Sequence, residues 1–240
     1  LGAMGFHAYL QRHNIPFESA MAKGRNMSIF WHIKSLAETA SRQLALERGD
    51  APDAHGTGMR NCHLLAVAPN ASSSIICGNT SPSIEPYRAN AYTQKTKSGT
   101  SLQKNEYLED ILRDIGMDTD EVWKSIVTNG GSIQHLEFLD DWTKDVFKTA
   151  VEIDQRWVID MAADRQKHIC QSQSLNVFFP SDVSKQELHA VHMMAWKKKV
   201  KTLYYLRSEA YKRAETVSDE ALRQRIFESI DEDACLACEG

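Results

Sequence analysis

The sequence predicts an α/β fold of parallel strands joined by crossover helices. A continuous apolar run, residues 62–68 (broken only by His63), and a second run, residues 175–179, read as buried strands, the pattern of a parallel sheet. A third β-prone run begins at Val200 and carries two adjacent tyrosines, Tyr204 and Tyr205. Stretches of helical period lie between these runs and are long enough to serve as crossovers. Three clear strands are few for a closed barrel, so the chain reads as part of a larger fold.

Taken in order, residues 18–48 predict a long helix: Ile29, Phe30, Ile33, Leu36, Ala37, Ala40 and Leu44 recur at helical spacing, and Gly49 ends it. Pro52, Gly56 and Gly58 make 49–60 a loop. The first strand runs into Pro69, Asn70, Ala71, Ser72, Ser73 and Ser74, with Asn70 as the helix N-cap candidate. Residues 78–100, rich in Gly, Pro, Ser, Asn and Thr, are expected to be mostly irregular. Short helices follow at 105–115, with Leu108, Ile111, Leu112 and Ile115 inward, and at 119–128, broken by Gly130 and Gly131. Residues 140–168 predict one long helix with Trp142, Val146, Phe147, Ala150, Ile153, Trp157 and Met161 on one side. Pro180 stops the second strand, and 184–199 form a helix with Leu188, Val191, Ala195 and Trp196 inward. Ser218 caps a last short helix to about residue 230. The body is thus 1–230 and the flexible tail 231–240.

The 240 residues are 42% hydrophobic and 25% charged, ordinary for a globular protein, and the net charge of −4 leaves no electrostatic footprint for a nucleic-acid polymer. No apolar run is long enough to span a membrane, and no secretion signal is seen. The opening residues, Leu1-Gly2-Ala3-Met4, read as the start of a fragment or of one half of a split protein. Of the cysteines, 62, 77 and 170 sit in apolar surroundings and are expected to be buried structural thiols. Cys235 and Cys238 form a Cys-x-x-Cys pair near the C-terminus, which argues for a working dithiol in a reducing, cytoplasmic compartment.

Three motifs can carry chemistry. Tyrosine can lose an electron and a proton together, so two adjacent phenols can relay an oxidising equivalent; equally, they can be two aromatic packers at a strand end. Neighbouring side chains of a regular strand point to opposite faces, so the rings meet only if the strand ends or bends there. A relay predicts nearly parallel rings, about 4.5–7 Å between centroids, near the 69–73 turn. That turn can bind phosphate through the unpaired amides at a helix start, or it is a capped helix with nothing bound. The tail pair is a mobile dithiol shuttle, a passive tail, or half of a metal site that lacks its second pair. Asp231, Glu232, Asp233 and Glu239 should raise its thiol pKa values. The nine histidines show no ligand spacing; His7 and His13 are expected at the surface.

Together the motifs Arg60-Asn61-Cys62-His63-Leu64-Leu65-Ala66, Ala68-Pro69-Asn70-Ala71-Ser72-Ser73-Ser74, Gly78-Asn79-Thr80-Ser81-Pro82-Ser83-Ile84-Glu85-Pro86, Gln171-Ser172-Gln173-Ser174-Leu175-Asn176 and Lys201-Thr202-Leu203-Tyr204-Tyr205-Leu206-Arg207, closed by the tail cysteines, resemble the C-terminal part of the class I ribonucleotide reductase large subunit. The resemblance runs from Leu1 to Gly240. It implies the C-terminal half of a ten-stranded α/β barrel and the reduction of ribonucleotides to deoxyribonucleotides by radical chemistry, for DNA synthesis. Pro69, Asn70, Ala71, Ser72 and Ser73 match the substrate-diphosphate loop, with Asn70 where the family often has Thr. Tyr204 and Tyr205 match the radical relay, Tyr205 toward the small subunit and Tyr204 toward the active-site cysteine. Cys235 and Cys238 match the tail dithiol, itself reduced by thioredoxin or glutaredoxin.

The implied partners are the N-terminal half of the large subunit, a radical-generating small subunit that contains the metal, and a ribonucleoside diphosphate. No cofactor is implied in this chain. The radical cysteine, the active-site disulfide and the nucleotide-sensing regions would lie upstream, so the chain alone is not expected to turn over. The alternative reading is a non-catalytic docking fragment whose tail dithiol is a redox switch.

Overall fold

The structure, a computed structural model, describes residues 1–96 and 99–208; the helix expected to end near 230 and the tail with Cys235 and Cys238 lie outside them. In chain order the elements are α1 (Phe6–Arg12), α2 (Ala20–Arg48), a 3-10 turn (Pro52–Ala54), α3 (Ala71–Ile76), β1 (Ala91–Thr96), β2 (Gly99–Lys104), α4 (Glu106–Asp114), α5 (Asp120–Thr128), α6 (Asp141–Val146), α7 (Gln155–Gln166), β3 (Val177–Phe179), α8 (Lys185–Lys197) and β4 (Leu206–Ser208). The described residues fall into two compact units, 1–87 with 150–208, and 88–149.

In the first unit, Ser19 caps α2 by accepting the Ala22 N–H at 3.1 Å, and Gly49 ends it with φ of 76°. The buried stripe differs from the apolar one expected. Leu36 is 56% exposed, while Asn26 and Ser41 are buried beside Ala22, Phe30 and Ala45. Asn26 is tolerated there because its amide donates to the Met161 carbonyl at 2.9 Å. Phe6, Leu10, Phe17, Phe30, Ile159, Leu175, Val177 and Phe179 belong to one apolar core. His7 is buried in this unit, contrary to expectation: its Nδ1 accepts the Tyr87 N–H at 2.9 Å, and its ring meets Phe17 edge-on at 5.5 Å.

The parallel character of the sheet is as expected, though the strands are shorter. β3 and β4 pair in parallel, Val177 with Leu206 and Phe179 with Ser208, across the α8 crossover. The run 62–68 is not a full strand. A single parallel bridge joins Val67 to Gln173; Leu65 and Val67 are buried, while Cys62 and His63 are exposed. On α8, Val191 and Ala195 are buried as expected, but Trp196 is 72% exposed.

The long helix expected over 140–168 is two helices, α6 and α7. Asp140 and Asp154 each cap one, accepting the amides of Thr143 and Arg156 at 2.9 Å, and side-chain acceptors of this kind favour breaks over helix interiors. In the first unit Gln155 then satisfies the exposed backbone, donating to the carbonyls of Ala150 and Ile153 at 2.9 and 2.6 Å and accepting the Phe178 N–H. The apolar rhythm survives the break: Ala150 and Ile153 are buried here, and Val146 and Phe147 are buried in the second unit.

The second unit holds an antiparallel hairpin that composition had marked as irregular chain. β1 and β2 pair from Ala91 with Lys104 to Thr96 with Gly99. Leu108, Leu112, Trp123, Ile126 and Phe147 belong to the core beside it. α4 and α5 stand where expected, capped by Asn105 and Thr119, although Ile115 is 47% exposed and Trp142 is 46% exposed. Gly131, at φ of 88°, is needed: a Cβ there would come within 2.2 Å of the Ala89 Cβ. Among the described residues no helix is long and apolar enough to cross a membrane.

Lys23 of α2, Asp160 and Asp164 of α7, and Lys198 after α8 bind these helices together; Lys23 and Lys198 both pair with Asp160, and Lys23 lies 3.3 Å from Asp164. Burial pushes the Asp160 carboxyl up, but Lys198 and Lys23 outweigh it and hold it below the usual carboxylate range. A depressed carboxylate stabilises the fold above its unfolded pKa of about 4 and ceases to do so as pH falls through the folded value. Asp160→Asn is expected to lower the unfolding free energy by about 2 kcal/mol at pH 7. The gap between the two proteins should close below about pH 4, which denaturant titrations at several pH values will measure.

Candidate active site

Three segments of the first unit end side by side. Val67 donates its N–H to the Ser172 carbonyl at 3.1 Å and accepts from the Ser174 N–H at 2.9 Å; Thr202 Oγ1 donates to the Gln173 carbonyl at 2.7 Å; Tyr204 N–H donates to the Leu175 carbonyl at 2.8 Å. Residues 66–69, 171–174 and 202–204 line a cavity of about 510 Å³. It lies where residues 66–69 lead toward α3 and where residues 171–174 and 202–204 lead into β3 and β4. Lys201 holds the middle and last segments in place, its Nζ donating to the carbonyls of Ile169, Cys170 and Gln171 at 3.1, 2.9 and 3.0 Å.

Pro69 is on the cavity wall, and α3 starts two residues later. Asn70 is at the N-cap position as expected, but with φ of 49° and ψ of 29° its side chain makes no capping bond. That left-handed turn is one that Asn tolerates better than most residues. The first intrahelical bond is from the Ser74 N–H to the Asn70 carbonyl at 3.0 Å, so the amides of Ala71, Ser72 and Ser73 precede it. Those three residues are exposed, while Ser74 is buried and its hydroxyl donates to the Ala71 carbonyl.

Tyr204 reaches the same cavity. The Tyr204 and Tyr205 ring centroids are 4.1 Å apart, closer than the expected window, and the planes are tilted by 53° where a parallel stack was expected. The rings meet because the strand is not yet regular: β4 begins only at Leu206, and the side chain of buried Asn176 accepts the Tyr205 N–H at 3.1 Å, between the backbone rungs Tyr204–Leu175 and Val177–Tyr205. The Arg207 guanidinium lies 4.4 Å from the Tyr205 ring centroid, within cation–π range. Both tyrosines are about half exposed. Hydrogen bonding to the Tyr205 side chain, then its charge and burial, raise the Tyr204 pKa above the ordinary phenol value, against the opposing pull of Arg207.

Cys235 and Cys238 lie outside the described residues, so their place relative to this cavity is not part of the geometry. Cys62, Cys77 and Cys170, expected to be buried, are all exposed free thiols. Four positions that matter here were given no role of their own from sequence. Asn176 shapes the tyrosine bend, Lys201 gathers three carbonyls, and Gln173 and Arg165 bond beneath the cavity wall, Arg165 Nε to Gln173 Oε1 at 2.6 Å. A signal for Arg165 did exist: a charged residue among the inward positions of α7.

A family model described as "Ribonucleotide reductase, barrel domain" matches residues 53–206. The ribonucleoside-diphosphate reductase large subunit of Invertebrate iridescent virus 6 is 53% identical over 222 residues, which are 91% of this chain and 23% of that protein. The putative large subunit of Frog virus 3 (isolate Goorha) is 49% identical over 240 residues, 100% of this chain and 41% of that protein. The solved structure of the Actinobacillus ureae class Id ribonucleotide reductase alpha subunit superposes with a TM-score of 0.82 at 41% identity, covering 88% of this chain and 38% of that one. The chain therefore spans less than half the length of each of these proteins. The α/β architecture agrees with these matches, and the chain belongs to the ribonucleotide reductase barrel-domain family.

Proposed function

We propose that this chain is the part of a ribonucleoside-diphosphate reductase large subunit that supplies the substrate-diphosphate turn, the tyrosine relay and the tail dithiol. The observation that carries the reading is that Pro69, at the start of the turn, and Tyr204, one of the paired phenols, line one cavity. In this reading the amides of Ala71, Ser72 and Ser73 donate to the diphosphate, assisted by the positive end of α3. The oxidising equivalent comes from a small subunit that contains the metal and enters at Tyr205. Oxidised Tyr205 takes an electron and a proton from the Tyr204 phenol, which leaves Tyr205 reduced and Tyr204 carrying the radical. A raised pKa suits Tyr204 to this role, since the phenol keeps its proton until the electron leaves. The N-terminal half of the large subunit supplies the reacting cysteines. Cys235 and Cys238 carry reducing equivalents from thioredoxin or glutaredoxin to their disulfide.

In the assembled enzyme, Tyr204→Phe and Tyr205→Phe are each expected to abolish turnover while shifting unfolding free energy by less than about 1.5 kcal/mol, because ring volume is kept. Retained turnover would reduce the pair to packing. Tyr205→Phe should also return the Tyr204 pKa toward its ordinary value near 10, read from the absorbance of tyrosinate during alkaline titration.

Replacing Cys235 and Cys238 with Ser is expected to spare single turnover by a pre-reduced enzyme and to stop thioredoxin-driven cycling. A small dithiol should restore cycling, because it reaches the inner disulfide without the tail. Full thioredoxin-driven cycling by the double variant would contradict the shuttle role.

A further inference from the structure

A second cavity, of about 250 Å³, lies on the first unit away from the tyrosines, and both Cys62 and Cys170 line it, with Lys34, Glu38 and His168. The Cys170 sulfur accepts the backbone N–H groups of Leu64 and Leu65 at 3.0 and 3.2 Å, and as a thiol it faces the Leu65 carbonyl at 3.2 Å. We propose that Cys170 is an oxidative modification site, a thiol that hydroperoxides oxidise and that Cys62 then resolves as a disulfide.

The geometry suits each step. Two converging amide donors stabilise a thiolate as they would any anion, and the sulfur remains exposed. Burial pushes the Cys170 thiol up, but the amides of Leu65 and Leu64 outweigh it and bring it below the ordinary value. The charged neighbours in the cavity oppose one another, since Lys34 Nζ is 3.6 Å from a Glu38 oxygen. His168 is drawn below the ordinary imidazole value by burial and then by Lys34 and Lys167.

The thiolate attacks the near oxygen of the hydroperoxide. The S–O bond forms, the O–O bond breaks, and the departing hydroxide or alkoxide leaves as water or alcohol; sulfur is oxidised by two electrons and the peroxide is reduced by two. The Cys62 thiolate then attacks the sulfenic sulfur, the S–S bond forms, and the hydroxyl leaves as water. Cys62 lies two residues before Leu64, whose amide touches the Cys170 sulfur, and two residues span at most about 7 Å. Residues 62 and 63 are exposed and outside any helix or strand, held by Asn61 N–H on Ser41 Oγ at 3.0 Å on one side and by Leu64 on the other. Closing the remaining distance asks for movement of this short length alone.

The test uses the full 240-residue chain with Cys235 and Cys238 replaced by Ser, so that the tail cannot re-reduce the product. Hydrogen peroxide is added at pH 7 with a dione that traps sulfenic acid, and each cysteine peptide is followed by mass spectrometry. Exposed Cys77 is the internal reference. Cys170 is expected to react at least about fivefold faster than Cys77 and to appear in a Cys62–Cys170 disulfide. Cys62→Ser should remove that disulfide and raise the trapped sulfenic acid at Cys170. Equal rates at Cys170 and Cys77, or no disulfide together with unchanged trapping in Cys62→Ser, would overturn the proposal. Cys62 is exposed, and circular dichroism of each variant checks that the fold is kept.

Discussion

Gln173 ties the candidate site to the core. Only 2% exposed, it bridges Val67 in parallel, its carbonyl accepts the Thr202 hydroxyl, its side-chain amide donates to the Ala162 carbonyl at 2.9 Å, and its side-chain oxygen accepts from Arg165. A buried amide with every polar atom engaged is rigid, because losing any partner leaves a desolvated group. Arg165 is itself 1% exposed and bonds Asn26 Oδ1 at 3.0 Å, which extends the network into α2. Burial draws the Arg165 pKa down to about 9, so the guanidinium is still charged at neutral pH. Its hydrogen bonds to two neutral amides offset part of the cost of burying that charge. Three segment ends that share no continuous ladder are thereby fixed against one wall.

That fixed wall accounts for the tyrosine geometry. If the backbone rungs from Leu175 to Val177 continued unbroken through Tyr205, adjacent side chains would diverge. Asn176 instead spends its side chain on the Tyr205 amide, and the rings come to 4.1 Å. The same local departure brings Tyr204 to the cavity that begins at Pro69. A radical relay and a packed aromatic corner both use close rings; what favours the relay is the shared cavity, together with an exposed phenol pair that a purely structural role would have buried.

Local features were legible in the sequence, and distant polar partnerships were not. The amphipathic spacing of Leu108 and Leu112, and the helix starts expected near 140 and 184, depend on residues within a turn of one another, and they stand as read. The break between α6 and α7 was hidden because its apolar rhythm continues across it, while the interrupting caps and the Gln155 bonds leave no trace in periodicity. The β1–β2 hairpin was hidden because its Thr, Ser and Gln content resembles loop composition. His7 was expected at the surface because the Tyr87 amide that satisfies it is far away in sequence. At the site, the 69–73 turn and the tyrosines were legible as motifs. Their convergence on one cavity, the left-handed backbone at Asn70 and the ring tilt are properties of the folded chain.

The central claim is that the one cavity lined by Pro69 and Tyr204 serves both substrate phosphate and the tyrosine pair. The most direct measurement is a crystal structure of the complete large subunit with a ribonucleoside diphosphate bound. The account predicts diphosphate oxygens within hydrogen-bond distance of the Ala71, Ser72 and Ser73 amides, in the cavity that Tyr204 also lines. A diphosphate held by other residues, with the 69–73 turn unoccupied, would contradict it.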